Sequence, residues 1–235
     1  MSRTLRHLLL LFPAAVTLSA TTLEEVIDRA RSFVGPEGKL EAVESLAYRG
    51  TLTPAGDGEP REVRLLLEKP ANQRLEIEQG NGRVTMIVNP LEGFMVEENL
   101  ESGQRRIIPL PTDQVRRFKA NATENLYFFR FPANRQVRAK YMGEEEFRGE
   151  TVDAVRFSHP GGIRFFRYFD PETGELVGTR TDTGTVNTEE GRVEVDGLVF
   201  SERVLSYEDG ELIHTIEFSE IEVNPGFGEG TFRAE

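Results

Sequence analysis

Arg61-Glu62-Val63-Arg64-Leu65-Leu66-Leu67-Glu68-Lys69, Gln73-Arg74-Leu75-Glu76-Ile77-Glu78-Gln79 and Arg83-Val84-Thr85-Met86-Ile87-Val88-Asn89 are the three runs that decide the fold. Large apolar residues recur at every second position: Val63, Leu65 and Leu67, then Leu75 and Ile77, then Val84, Met86 and Val88. Successive side chains of an extended chain point to opposite faces, so this period predicts strands with one apolar and one polar face. Pro70 closes the first run, and Gly80-Asn81-Gly82 is a tight hairpin signal between the second and third. Connections this short pair neighbouring strands antiparallel.

The same period extends in both directions. Upstream, residues 44–53 place Leu46, Tyr48 and Leu52 together, and a polar turn at 54–60 follows. Downstream, residues 94–97 and 105–109 continue the meander. Past an interruption at 112–131, strands are expected at 136–143, 151–158, 163–170, 175–183, 192–195, 198–207 and 211–223. Glu144-Glu145-Glu146 reads as a solvated hairpin tip, and Asp196-Gly197 and Asp209-Gly210 read as turns. Asp170-Pro171-Glu172-Thr173-Gly174 has turn chemistry throughout, with Asp bonding its own backbone, Pro presetting φ and Gly tolerating a positive φ. A calcium loop would alternate oxygen ligands, which this run does not. No linker or low-complexity tract interrupts residues 21–235, which suit one β-rich domain.

Two segments carry the helical period. Thr21-Thr22-Leu23-Glu24-Glu25 is a capping-box pattern, after which Leu23, Val26, Ile27, Ala30, Phe33 and Val34 share a stripe that Gly35-Pro36 ends. In 112–131, Thr112 is placed to cap and Asp113 suits a positive helix N-terminus. Val115, Phe118, Ala122, Leu126 and Phe129 form its stripe, Tyr127, Phe128, Phe129 and Phe131 crowd its end, and Pro132 terminates it. Both apolar stripes need the sheet to cover them. The fold class expected is mainly β (α+β): a single antiparallel curved sheet around an N-terminal helix and a central helix. That central helix fits two roles, a movable lid whose aromatics line a cavity and a core helix that seals the sheet permanently.

Composition narrows the function. The chain has 235 residues, a net charge of −12, no cysteine and no tryptophan. Residues 1–20 read as a secretory signal peptide, with Arg3 and Arg6 before an apolar run from Leu8 to Phe12 and small residues up to Ala20. An uncleaved N-terminal anchor is the alternative, although the apolar stretch is short for a membrane span of about 20 residues. Without cysteine there is no disulfide, no thiolate nucleophile and no residue for lipid attachment, so a soluble exported protein of a bacterial periplasm is expected. The acidic surface argues against nucleic acid. Of the histidines, His7 falls in the signal, His159 in a turn before Pro160-Gly161-Gly162, and His214 in a strand. No Gly-x-Ser-x-Gly, His-Glu-x-x-His, Walker or dinucleotide motif is present. A carboxylate hydrolase would need two acids converging in a cleft. The expectation is a binding protein with no catalytic residues, no cofactor and no metal. Asn121-Ala122-Thr123 matches a glycosylation acceptor inside the expected helix and is read as chance. Arg105-Arg106 and Arg116-Arg117 give local positive spots, through solubility or a contact to an anionic group at a cavity rim.

The order of features resembles a known family. The capped helix leads into Leu46-Ala47-Tyr48-Arg49-Gly50, and Leu67-Glu68-Lys69-Pro70 is followed by Arg74-Leu75-Glu76. Phe169-Asp170-Pro171-Glu172-Thr173-Gly174-Glu175-Leu176-Val177 forms a central hairpin, and Ile216-Glu217-Phe218-Ser219-Glu220-Ile221-Glu222-Val223-Asn224-Pro225 with Phe232 closes the chain. Together these resemble the periplasmic lipoprotein-carrier superfamily of LolA-type carriers and LolB-type receptors, which sort outer-membrane lipoproteins. The resemblance implies an unclosed β-barrel around helices, with a hydrophobic cavity between sheet and lid. It implies carriage of acyl chains of lipoproteins or lipids, or, as the alternative, an envelope regulatory or structural protein that binds a protein partner. It also implies an arginine on an early strand that holds the lid, for which Arg49 is the positional candidate. On this reading the ligand-binding residues are Tyr48, Leu65, Leu67, Leu75 and Ile77 from the first strands, and Met86, Val88, Phe94 and Phe165 from later ones. Phe118, Leu126 and Phe129 would contribute from the lid. Met86 suits variable chains because a thioether adapts in shape.

Overall fold

Thr22 opens the described chain with a reciprocal cap: its hydroxyl accepts from the Glu25 N–H at 3.3 Å, and the Glu25 carboxylate accepts from the Thr22 N–H at 2.8 Å. The structure, a computed structural model, describes residues 21–234, so the expected signal at 1–20 lies outside the described residues. The cap starts α1 (Leu23–Val34), whose Val26, Ile27 and Ala30 are buried. A short α2 (Glu37–Glu41) follows Pro36, where the sequence was read only as a stop. Proline is tolerated in the first turn of a helix, because the N–H it lacks would be unsatisfied there anyway.

The first half of the chain forms β1 (Ser45–Pro54), β2 (Arg61–Glu68), β3 (Asn72–Gln79), β4 (Gly82–Val88), β5 (Gly93–Asn99) and β6 (Arg105–Pro109). After α3 (Thr112–Tyr127) come β7 (Arg138–Phe147), β8 (Glu150–Ser158), β9 (Arg164–Phe169), β10 (Leu176–Thr181) and β11 (Val186–Glu190). The chain ends in a small hairpin, β12 (Val193–Val195) and β13 (Leu198–Phe200), then β14 (Arg203–Glu208) and β15 (Glu211–Val223).

Thirteen strands form one antiparallel sheet in the order β6-β5-β4-β3-β2-β1-β15-β14-β11-β10-β9-β8-β7. The sheet is mainly β architecture left open: β6 and β7 are its two edges, and α3 joins them across the inner face. The first and last strands meet at its middle, Tyr48 opposite Ile221. A bulge there between Arg49 and Gly50 bends β1, and Gly50 is required because any Cβ would collide with the Glu217 carbonyl oxygen.

Four local expectations are corrected. Glu144, Glu145 and Glu146 lie within β7, not at a hairpin tip; the turn comes at Arg148 and Gly149, which supply the positive φ values of 54° and 88°. Residues 192–200 do not join the main sheet, because β12 and β13 pair with each other and bury Leu198 and Phe200 against Leu40 and Val43. Thr112 is the first helical residue behind Pro111 and makes no capping hydrogen bond. Helix α3 stops at Tyr127 and not at 131, since Phe128 and Phe129 turn left-handed at φ 44° and 69°. That reversal sends Phe128 to the cluster with Leu46 and Leu126, and Phe129 to the cluster with Phe157 and Phe169.

The outer face is not uniformly wet. Ala47, Leu66, Ile87 and Val96 point outward there and are covered by Phe232, with Phe227 beside it. Arg74 donates to the Thr231 carbonyl and Asn89 to the Phe232 carbonyl, both at 3.1 Å, fastening the C-terminal segment. The outward apolar residues interrupt the polar half of each alternation, so strict period-two reading passes over them. No helix among the described residues is long and apolar enough to cross a membrane.

Candidate functional site: a cavity with a polar floor

The inner face of the sheet carries a cavity of about 160 Å³ between β1, β2, β14 and β15, bounded by α1, the end of α3 and the β12–β13 hairpin. The strand pairing explains its walls. Tyr48 sits across from Leu65 on β2 and Ile221 on β15, so their side chains share the inner face. The Tyr48 ring lies 5.2 Å from Phe218 and 6.1 Å from Phe200, while Phe33 and Phe129 close the helical side.

Its floor is polar. Glu124, on the buried side of α3, has one carboxylate oxygen 2.6 Å from the His159 Nε2, and the other accepts from the Arg167 Nε at 3.2 Å. Arg167 Nη1 donates to Thr179 Oγ1 at 3.0 Å and lies 3.9 Å from Glu189. Glu189 accepts from the Ser201 hydroxyl at 2.5 Å. The side chains of Glu124, His159 and Arg167 are 0%, 3% and 9% exposed. Burial raises the Glu189 carboxyl above the usual carboxylate range, with Arg167 and Ser201 pulling the other way. Burial also raises the Tyr48 phenol, and the charge of Glu189 adds to it.

Helix α3 is tied along its length. Arg31 of α1 donates to the carbonyls of Tyr127 and Phe128 at 3.1 and 2.7 Å, satisfying the helix C-terminus, and also pairs with Glu37. Asn121 donates to Gln73 on β3 at 3.1 Å, and Arg117 pairs with Asp182 at the exposed end.

Of the residues expected to bind ligand, the structure brings Tyr48, Leu65 and Phe129 together around the cavity. Leu67 and Leu126 are fully buried in one cluster, and Val88 is fully buried as well. Phe165 packs with Ala120 and Ile163 under α3. Leu75 and Met86 pair across β3 and β4 on the inner face, partly exposed, and Ile77 faces an open groove with Arg61, Arg83 and Arg105. Phe118 is half-buried on α3. Phe94 is a correction: it pairs with Ile87 on the outer face, beside Phe227 and Phe232, because it is one residue out of phase with Met95. Arg49 is another: it pairs with Glu220 at 3.3 Å on the outer face, both half-exposed, and the arginines that reach α3 from α1 and from the sheet interior are Arg31 and Arg167.

The floor residues Glu124, Arg167, Glu189 and Ser201 were not singled out by the sequence, and His159 was placed only in a turn. The one signal was Arg167 itself, a charge at an inward position within Phe165-Phe166-Arg167-Tyr168-Phe169. His159 begins a turn as expected, but its ring is buried between Phe131 and Phe165. Asp170 accepts from the amides of Glu172 and Thr173 at 3.0 and 2.6 Å, the turn chemistry its motif predicts.

No family model matches the chain, and no curated protein does. Solved structures do. A DUF1329 family protein from Desulfovibrio piger superposes with a TM-score of 0.58 at 9% identity, over 90% of this chain and 97% of that one. An outer membrane lipoprotein-sorting protein domain, so described, from Vibrio parahaemolyticus gives 0.56 at 12% identity, over 89% and 97%. A LolA superfamily protein from Nitrosomonas europaea gives 0.54 at 10% identity, over 91% and 98%. The chain therefore shares its fold with these proteins, an open antiparallel sheet with helices on its inner face.

Proposed function

We propose that this protein binds acyl chains of lipids or lipoproteins non-covalently between the sheet and α3, as an exported carrier of the bacterial envelope. The observation that carries the reading is a cavity with aromatic and aliphatic walls left unfilled beneath a helix that polar contacts as well as packing hold in place. At about 160 Å³ it matches a cavity that holds one benzene ring, roughly 150 Å³. A longer chain needs α3 to move, so the structure is read as the closed form. The outer end of α3 is the loose one: its Arg117–Asp182 pair is solvent-exposed, and such pairs contribute about 0–1 kcal/mol. Lifting that end would extend the cavity over Leu75, Ile77 and Met86. Each methylene buried there contributes about 0.8 kcal/mol, enough for a chain to hold without covalent attachment.

The acids in the cavity do not suggest hydrolysis. Both oxygens of Glu124 are engaged by His159 and Arg167, and Glu189 is engaged by Ser201, so neither is poised over an empty reacting position. Partner binding through a sheet edge has less support as well. β6 is five residues long, opens with Arg105-Arg106 and ends in Pro109, and β7 carries Glu144–Glu146 next to an irregularity at Gly143. Charges, proline and bulges are the devices that block strand addition.

The test is mass spectrometry of lipids extracted from protein purified without detergent, with a Leu65→Glu/Phe218→Glu variant as control. Acyl species present in the wild type and lost in the variant are expected. A wild type free of acyl species that also fails to take up a fluorescent fatty acyl probe would overturn the proposal.

A further inference from the structure

Tyr48 is a wall residue of the cavity whose polar group is unused. It is 9% exposed, its ring is held by Phe200 and Phe218, and its hydroxyl has no hydrogen-bond partner among the described residues. The oxygen is not among the buried atoms left without a partner, so it is open to the cavity and free to donate to an acceptor placed there. Beside it Ser201 donates to Glu189, and Arg167 donates to Glu124 and Thr179.

The charges around the cavity say what the acceptor is. Glu124, Glu175 and Glu189 line it against Arg167 and Arg192. Both arginines are already paired, Arg167 with Glu124 and Arg192 with Glu175. A ligand carboxylate would enter an acidic surplus with no free cation among the described lining residues, and an unpaired buried charge is strongly disfavoured. A neutral carbonyl needs only one donor, which Tyr48 supplies. Its raised phenol also stays protonated, hence donating, at neutral pH.

We propose that the Tyr48 hydroxyl is the docking point for the carbonyl of an ester- or amide-linked acyl chain, so that the cavity selects acylated molecules over free fatty acids. This rests on the acyl-binding function proposed above and adds the polar linkage that the site recognises. The methylenes next to the carbonyl would lie against Leu65, Val204 and Phe218, with the headgroup toward the rim at Phe33 and Arg192.

Isothermal titration calorimetry of the purified protein, below micelle-forming concentrations, tests it with three probes of equal chain length. These are 1-lauroylglycerol, the ether 1-dodecylglycerol and dodecanoate. The ester should bind about fivefold tighter than the ether, the worth of one neutral hydrogen bond. Dodecanoate should bind at least about tenfold more weakly than the ester at neutral pH, because its charge is unpaired. Tyr48→Phe should remove the ester's advantage over the ether and leave thermal stability unchanged or raised, since no protein hydrogen bond is lost. Equal binding of ester and ether by the wild type, or a Tyr48→Phe variant that keeps the ester's advantage, would overturn the subsite while acyl binding stands. Binding of none of the three would overturn the acyl-binding reading itself.

Discussion

Glu124 on α3 and Arg167 on β9 meet at 3.2 Å in the interior, and this pair, with His159 on the second carboxylate oxygen, joins the helix to the sheet. A helix whose inner side held only aliphatic residues would be fastened by packing alone. Here a charged contact fixes one rotational setting of α3, because guanidinium and carboxylate must meet while Thr179 takes another arginine N–H.

Removing one partner should therefore cost more than removing both. Glu124→Ala leaves buried Arg167 with only the more distant Glu189 as countercharge and is expected to destabilise by about 3 kcal/mol. A Glu124→Leu/Arg167→Met variant, which replaces the pair by apolar side chains of similar length, should recover most of that loss. Urea unfolding of the three proteins measures it; a double variant as unstable as Glu124→Ala would mean the pair is not an isolated unit.

Arg31 and Arg49 should behave very differently. Arg31 is 4% exposed and satisfies the last carbonyls of α3, so Arg31→Met should cost about 3–6 kcal/mol, counting two hydrogen bonds to a charged group. Amide exchange at residues 124–131 should accelerate in the same variant. Arg49→Ala, which removes a half-exposed pair with Glu220, should stay within about 0.5 kcal/mol and leave that exchange unchanged. Comparable effects from both would reverse the assignment of which arginine holds the helix.

The elements legible in the sequence were those with a local cause. The period-two runs of β2, β3 and β4, the Thr22–Glu25 cap and the Asp170–Gly174 turn each act within a few residues, and each is found where its chemistry places it. The cavity's greasy wall was partly legible for the same reason, since Tyr48 and Leu65 share one parity. The polar floor was not. Glu124, Arg167 and Glu189 are far apart in sequence, and an acid on a helix reads as solvated until the sheet that covers it is known. The phase of β5 shows the limit: Phe94-Met95-Val96 is apolar at every position, so the pattern could not say which side of the sheet Phe94 faces.

Glu189 gives a signature in the pH dependence of stability. Its carboxyl is raised by burial while facing Arg167, the Ser201 hydroxyl, Glu175 and Tyr48. The folded state thus holds a proton more tightly than the unfolded chain, whose glutamates titrate near about 4.3. Its contribution is complete below that value and is lost as pH rises through the raised one. His214, lowered by its own burial, acts oppositely, losing stability as pH falls. The readout is therefore the difference between the wild type and Glu189→Gln, which keeps an acceptor for Ser201. That difference should move in favour of the glutamine variant as pH increases from about 4 to 8; a constant difference would mean Glu189 is solvated like an ordinary surface acid.

Filling the cavity should separate stability from binding. Val204 on β14 pairs with Ile216 and lines the hollow, so Val204→Phe directs a ring into about 160 Å³ of unoccupied space. If that space is free, the variant gains dispersion contacts and should be stabilised by about 0.5–2 kcal/mol, the usual range for a filled cavity. The same ring occupies the position assigned to the first methylenes of a bound chain, so uptake of an acyl probe should fall sharply. Thermal denaturation and probe displacement on one preparation give both values. Loss of stability would indicate overpacking of a site with no usable volume, whereas a stabilised variant that binds the probe as well as the wild type would place the chain elsewhere on the inner face.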